Sequence, residues 1–548
     1  MPGRPRSRPR RRVRVPAVVL AASVVFAVLG VLWSVVAPLN EAPDEPAHLG
    51  LVLHLADGRP YPDFDQLHSP TSVYRLCRTF AAATRACPQD GEPVTITSTR
   101  RHLAGDAPDK SIRPAWNDEG GAKQGGLNQM AQHPPLYYEA MAGVLRVERA
   151  TFGGPWSLDR ELALLRLANV ALVAPLPLLA WWAATRAHLS RRVAVLASFG
   201  PLALPMVTHI GSTVNNDNLL TLCGAGVVAL LAGVAVGDRS LRTAVAVGVV
   251  AAIGMLAKAS AVTFLPAIVL AYLVGWLVPR DGAARASVGR TAAPAAAAGG
   301  LMVAGSAWWY LRVRLRTGRF APTIEETRLT TALRPPGFHV DISSYAAMLG
   351  RGLTQRFWGS FGWYSVRFST GFAYTLTAVL VALVVVAFFA GRARRGSAHE
   401  GAGSTEGKAP SAWLLAVLLS PLVLLGAFVV QRSFLLYQRT SKFQFIQGRY
   451  LFPAVTGLAV VVAVAASRLA GRWALPVAAA AVAGMQAWAL RRALVGFWGG
   501  PGVGPVGQVR ALVAWSAWPG EVFALLGLSM VAAISWLGWA GVTEWREP

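Results

Sequence analysis

A bundle of membrane-spanning helices is the fold class this sequence predicts, and three observations predict it. Of 548 residues, 54% are hydrophobic and only 14% are charged, whereas a soluble chain of this size carries roughly 25% charged residues. The apolar residues gather into recurring runs of about 18–25 residues that are nearly free of charge, the length a helix needs to cross a bilayer. Arginines concentrate in the short segments between alternate runs, as in loops held on the cytoplasmic side. Together these predict an all-α polytopic protein of about twelve spans with a large first external loop.

The elements follow in order. Residues 1–14 form a basic, proline-broken cytoplasmic tail. The first span is 15–37. Its end, Val35-Val36-Ala37, weakly resembles a signal cleavage site, but the run exceeds the roughly 7–15 apolar residues of a signal peptide, so it reads as an uncleaved anchor. A polar segment, 38–159, is long enough to fold as a subdomain on the membrane surface. Further spans are expected at 161–184, 193–210, 214–236, 241–257, 261–278, 292–310, 371–390, 411–430, 451–467, 473–490 and 521–540. Alternation from a cytoplasmic start puts Arg186/Arg191/Arg192, Arg239/Arg242, Arg280/Arg285/Arg290, Arg392/Arg394/Arg395 and Arg468/Arg472 inside. It puts both termini in the cytoplasm and 311–370, 431–450 and 491–520 outside. The Gly/Ser-rich stretch within 391–410 is a flexible cytoplasmic linker. No internal repeat points to a transporter built from two related halves.

The net charge of +25 would suggest nucleic acid in a soluble protein. Here basic loops and contact with anionic lipid account for it, and no basic helix with interleaved aromatics is present. Three cysteines occur. Cys77 and Cys87 share the first external loop and are expected to form a disulfide in an oxidising compartment, the alternative being two free thiols. Neither C-x-x-C nor Cys/His zinc spacing appears.

Six polar clusters interrupt the apolar pattern. The first, Asn40-Glu41-Ala42-Pro43-Asp44-Glu45-Pro46-Ala47-His48, places three carboxylates and a histidine just past the first span. A carboxylate held beside a low-dielectric surface can act as a general base; the plain alternative is a solvated acidic loop. The second, Gln132-His133-Pro134-Pro135-Leu136-Tyr137-Tyr138, reads as a turn into a short interfacial helix. The third, Ser212-Thr213-Val214-Asn215-Asn216-Asp217-Asn218, holds more polar groups than a helix cap explains. The fourth is Lys258, in Met255-Leu256-Ala257-Lys258-Ala259-Ser260, where a hairpin would bring an ammonium to the external surface. The fifth is Phe357-Trp358-Gly359-Ser360-Phe361-Gly362-Trp363. The sixth is Gln447-Gly448-Arg449-Tyr450, where a planar guanidinium suits phosphate and glycine lets a ligand approach the backbone. All six fall on the same, external side of a topology drawn from hydrophobicity and arginines alone. Carboxylates, cations and aromatics on one face suggest one site.

These motifs resemble those of the GT-C-type glycosyltransferases that use polyprenyl-phosphate sugars. Within that superfamily the chain is similar to a bacterial family of predicted membrane proteins. The resemblance is carried by Pro-Asp-Glu-Pro-Ala-His at 43–48, His-Pro-Pro-Leu-Tyr-Tyr at 133–138, Asn-Asn-Asp at 215–217 and Gln-Gly-Arg-Tyr at 447–450. It implies a GT-C-like transmembrane catalytic region over 15–455, followed by C-terminal helices over 456–548 that match no chemistry. It implies an inverting transfer to an acceptor hydroxyl, with Asp44 or Glu45 as base and Asp44 the choice, because the aspartate of such a pair is the usual base in related enzymes. Lys258 and Arg449 would neutralise the donor phosphate. Trp358 and Trp363 would pack on sugar or prenyl chain, and His48, His133, Tyr137, Asn216, Asp217, Gln447 and Tyr450 would bind substrate or order the site. Some relatives use a divalent cation, for which Asp44, Glu45 and Asp217 are the candidate ligands. The implied partners are a polyprenyl-phosphate-linked sugar donor, a cell-envelope glycan, lipid or protein acceptor, and the lipid bilayer; nucleic acid is not among them. A different class, a transporter or non-catalytic binding protein for lipid-linked sugars, would favour charges at mid-bilayer and broken helices in paired halves.

Overall fold

The computed structural model describes residues 14–81, 102–115, 127–278, 287–324, 336–389 and 410–546. Among the described residues the regular structure is helical, apart from one hairpin that pairs Ser360–Phe361 with Val366–Arg367 and two isolated bridges. Eight helical stretches among the described residues are long and apolar enough to cross a membrane, or nine if the bent pair Arg191–Ala203 and Pro205–Gly211 is one span. This is fewer than the expected twelve, although each expected segment falls on a helix. Leu241–Ala257 is short for a span, and the 51-residue stretch Gly448–Trp498 counts once, although Gly471 breaks it at a φ of +52°. The chain is thus an all-α polytopic membrane protein. The N-terminal tail, Cys87 and nearly all of the 391–410 linker lie outside the described residues.

Local sequence explains the boundaries. The first span, Ala17–Val36, ends where Ala37 turns extended ahead of Pro38, because a residue before proline avoids the helical region. The helix Glu45–Ala56 opens with Pro46 in its first turn, where proline removes a donor that would have had no partner anyway. The helix Leu136–Phe152 follows the expected His-Pro-Pro turn and stops at Gly153, φ 75°, a left-handed position that glycine adopts without cost. The last two helices pack against each other. Together they form the body of the first loop.

Segments expected on one side of the membrane meet each other. Arg113, in the first loop, donates from Nη1 to Asp159 (2.7 Å) and to the Ser516 carbonyl (2.9 Å). The Trp515 indole donates to the Leu103 carbonyl at 2.8 Å. The C-terminal region, which carries no recognisable chemistry in the sequence, therefore holds the first loop in place. Cys77 is disulfide-bonded and Cys223 is a free, buried thiol.

Candidate functional site

Asp44 occupies the N-cap of Glu45–Ala56 with φ 65° and ψ 2°. This left-handed conformation is costly for most residues with a Cβ, and Asp and Asn bear it best. The Asp44 carboxylate does not cap its own helix. Instead Arg449 Nη2 donates to Asp44 Oδ2 at 2.6 Å, and Gln129 Nε2 donates to Oδ1 at 3.3 Å. Arg449 Nε lies 3.1 Å from Asp217 Oδ2, and Lys258 Nζ donates to Asp217 Oδ1 at 2.6 Å. Two carboxylates thus alternate with two cations in one row, Asp44–Arg449–Asp217–Lys258. The Lys258 ammonium also sits 4.4 Å from the centroid of the Tyr450 ring, a cation–π contact.

The fold builds this row from four separate chain segments. Asp217 opens the span Asp217–Ala235, whose first turn is set by Asn215 Oδ1 accepting from the Asp217 amide at 2.9 Å. Lys258 is the extended residue between Leu241–Ala257 and Ala259–Thr263, the turn expected from the sequence. Asn216 ties that turn down by donating to the Ala257 carbonyl at 3.1 Å. Arg449 lies on the 3-10 turn Gly448–Ala454, which packs on Asp217–Ala235.

Arg449 is 4% exposed, yet its donors are not all used. The approach of Nε to Asp217 is not aligned as a hydrogen bond, and both Nε and Nη1 lack a hydrogen-bond partner, as does Asp217 Oδ2. Guanidinium groups present five donors in a fixed fork. A buried fork with unused N–H groups is suited to an anionic oxygen.

Glu45 belongs to a different network. It is fully buried, as is Arg166. Arg166 Nε and Nη2 donate to its two oxygens at 2.9 and 2.6 Å, and the amides of Val214 and Asn40 donate to the same oxygens at 3.1 and 3.0 Å. Arg166 also donates to the carbonyls of Ser34, Ala37 and Pro38 at 2.7–2.8 Å. This pair staples the end of the first span to the start of the Glu45 helix and fixes the backbone on which Asp44 stands. Its four accepted hydrogen bonds occupy both oxygens of the Glu45 carboxylate, whereas the Asp44 carboxylate faces Arg449 and Gln129.

The remaining expected residues divide. His48 Nδ1 is 2.9 Å from the Tyr138 hydroxyl, and Tyr137 donates to Asn169 at 3.0 Å; both are buried supports. The His133 carbonyl accepts from Tyr61 at 2.8 Å. Burial, and then the nearby Lys258 ammonium, bring the His133 imidazole down to about 3; His48 is lowered chiefly by burial. Both rings are therefore neutral at physiological pH, and neither adds a cation for phosphate. Gln447 accepts from the Tyr364 hydroxyl.

Three expectations are corrected. Trp358 is buried, donates to Thr377 at 2.8 Å and faces a span. Trp363 packs on Cys77 and Ala81 of the first loop. Neither ring joins the Asp44–Lys258 row. Gly448 does not open the backbone to a ligand: a Cβ there would lie 2.3 Å from the Phe357 amide nitrogen, so glycine serves close packing. The trio Asp44, Glu45 and Asp217 does not assemble as a metal site, because Glu45 faces Arg166 while the other two carboxylates are bound to Arg449 and Lys258. Among the described residues no group of three or more His, Cys, Asp or Glu side chains is arranged to hold a metal ion.

Sequence reading missed Arg166, Gln129, Asn169 and Tyr364. Arg166 and Asn169 had a signal: they are polar interruptions of the expected span 161–184, where such residues are costly unless paired. Tyr364 follows the aromatic cluster and sits at φ 64°, in the turn of the hairpin. That turn reaches the first loop through Ser365, whose hydroxyl donates to Glu41 at 2.9 Å.

Fold and site together define a polytopic helical membrane protein with a buried, charge-alternating row at one end of its bundle. The chain belongs to the DUF2142 family of predicted membrane proteins, which matches residues 26–458. That range contains all four residues of the row. Among curated proteins none matches the sequence. Solved structures similar in chain path include ArnT from Cupriavidus metallidurans bound to undecaprenyl phosphate, at 15% identity and a TM-score of 0.41, covering 96% of this chain and 77% of that one. The apo form of ArnT from the same organism gives 18% identity and a TM-score of 0.36, covering 75% and 67%. An Archaeoglobus fulgidus oligosaccharyltransferase in complex with Zn and sulfate gives 12% and 0.29, covering 72% of this chain and 45% of that protein.

Proposed function

We propose that this protein is a membrane glycosyltransferase of the GT-C type. It transfers a sugar from a polyprenyl-phosphate donor to an acceptor hydroxyl with inversion. The observation that carries this reading is the Asp44–Arg449–Asp217–Lys258 row, with unused N–H groups on the buried Arg449.

The chemistry follows from charge. The row holds two carboxylates and two cations, so it is neutral before a donor binds. The donor phosphodiester carries one negative charge and takes the free side of the Arg449 fork, with Lys258 nearby. Asp44 accepts the proton of the acceptor hydroxyl as that oxygen bonds to the anomeric carbon. The bond from that carbon to the phosphate oxygen breaks, and its electron pair stays on the lipid phosphate. Asp44 thereby passes from anionic to neutral while the phosphate gains one negative charge. Arg449, which bonded Asp44 at 2.6 Å, is released to the leaving phosphate as the charge develops there. Stabilisation that grows along the reaction is what lowers a barrier.

The test is transfer from radiolabelled polyprenyl-phosphate sugars by the purified full-length protein. Label appearing in an acceptor with release of polyprenyl phosphate is the expected result. Binding of the donor without transfer to any envelope glycan, lipid or protein acceptor would replace this reading with that of a non-catalytic binding protein.

Arg449→Lys keeps the charge and loses the bidentate fork. It is expected to weaken donor affinity more than it slows turnover at saturating donor, with Arg449→Ala more severe. Unchanged donor affinity in both variants assigns Arg449 to structure alone.

In this reading the site faces the outside of the plasma membrane and both termini face the cytoplasm, the orientation that the arginine-rich loops support. Cysteines introduced at the exposed positions Gln66 and Ser287 separate the two sides. In intact cells an impermeant thiol reagent is expected to label the cysteine at 66 and not the one at 287, with the parent protein as blank. The opposite pattern overturns the placement.

A further inference from the structure

At the end of the bundle opposite Asp44, we infer a binding site for an anionic phospholipid. The ends are distinguished by chain direction. The helix Ala474–Trp498 finishes with its Trp498 indole donating to the Val36 carbonyl at 2.8 Å, beside the segment that leads to Asp44. It begins at the far end, next to Trp473, whose ring lies 5.7 Å from that of Trp545. The span Val455–Ala470 likewise starts next to the Arg449 turn and ends at this far end.

An apolar groove of about 690 Å³ runs from Trp473 and Trp545 between the helices Ala17–Val36, Ala474–Trp498 and Gly520–Arg546. Its wall extends from Leu475 to Leu490 on one helix and from Met530 to Trp545 on another, about 22 Å along each at 1.5 Å per residue. This is longer than one leaflet of a ~30 Å hydrocarbon core, so an acyl chain fits lengthwise. Gln486 is the polar exception in the lining, and its amide is turned inward, donating to the Leu202 carbonyl at 2.7 Å.

The groove adjoins a second cavity, with Leu475 and Trp545 lining both. That second cavity is basic: Arg191, Arg192 and Arg472 line it, against one acid, Glu544. Glu544 is bonded to Arg191 at 2.8 Å, which leaves the charge of Arg192 and Arg472 uncompensated by the lining. Arg191 and Arg192 also occupy the first turn of the helix Arg191–Ser198. Cations are unfavourable at that positive end of a helix dipole unless an anion is close. A basic cavity beside an apolar groove matches a phosphate headgroup joined to an acyl chain, and basic pockets between spans are suited to anionic lipid. The occupant is a bilayer phospholipid with a net negative headgroup. The site is separate from the donor site and does not depend on the proposed reaction.

Native mass spectrometry of the delipidated full-length protein tests this, with equimolar dioleoyl-phosphatidylglycerol and dioleoyl-phosphatidylcholine as probes. The glycerol lipid is expected to be retained preferentially. The double variant Arg192→Gln/Arg472→Gln is expected to weaken its retention by about 25-fold, since each arginine near an anionic lipid contributes a factor of roughly five. Gly538→Phe, at a groove position where a Cβ meets no atom within 4 Å, is expected to reduce retention of both lipids. A control with the exposed arginines of another region changed, Arg242→Gln/Arg290→Gln, is expected to keep the preference. Equal retention of the two lipids, a preference that survives the double variant, or a loss shared by the control overturns the site. Displacement of phosphatidylglycerol by undecaprenyl phosphate at equal concentration overturns the choice of occupant.

Discussion

Asp44→Asn is expected to lower turnover at saturating donor by about 10²–10⁴-fold, the usual contribution of a general base, while donor binding stays within a few fold. Asparagine keeps the size of the side chain and is among the residues that best tolerate the left-handed backbone at position 44, so the variant isolates basicity. It also loses its charge opposite Arg449. For that reason donor affinity is expected to stay level or rise, since phosphate no longer competes with a carboxylate for the guanidinium. Product formation and donor binding, measured separately on the same preparation, check both halves. Near-normal turnover in a protein that does transfer sugar would mean that Asp44 is not the base.

Breaking the Glu45–Arg166 pair is expected to cost stability rather than chemistry. Both side chains are fully buried, and removing one partner of a buried ion pair leaves an uncompensated charge worth about 3–5 kcal/mol. Glu45→Gln and Arg166→Met are each expected to lower the thermal unfolding midpoint in detergent strongly. The double variant is expected to recover much of the loss, because replacing the whole pair by neutral groups removes the stranded charge. Losses that simply add would show that the two residues act independently. A Glu45→Gln protein as stable as the parent but inactive would return Glu45 to the position of base. From sequence, the milder effect was expected at Glu45; the structure makes it a stability position, because that carboxylate is fully buried and accepts four hydrogen bonds.

The row also explains why a neutral cluster can serve an anionic donor. Asp217 holds Lys258 and lies against Arg449, so the two cations stay close together despite their repulsion. The His133 imidazole, pushed down to about 3 by burial and the nearby Lys258 ammonium, leaves the charge beside the row unchanged between pH 5 and pH 8.

Hydrophobic run length, proline and arginine placement were enough to locate the helices and to predict that Asp44, Asp217, Lys258 and Arg449 share a face. The reason is that a bilayer imposes a length and a polarity on every segment, and both can be counted along one chain. Sequence favoured Asp44 over Glu45 as base but could not show what holds Glu45. Its partner is Arg166, 121 positions away, while Asp44 turns at φ 65° toward Arg449. Nor could it assign Trp358 and Trp363, since an aromatic ring that packs in a core and one that stacks on a sugar obey the same residue preference. The bond from Arg449 to Asp44 crosses 405 positions. Composition and periodicity determine which segments enter the membrane and which end of each carries polar groups. Only the packing of the helices decided which charges meet, because a Coulomb interaction depends on separation in space and not along the chain.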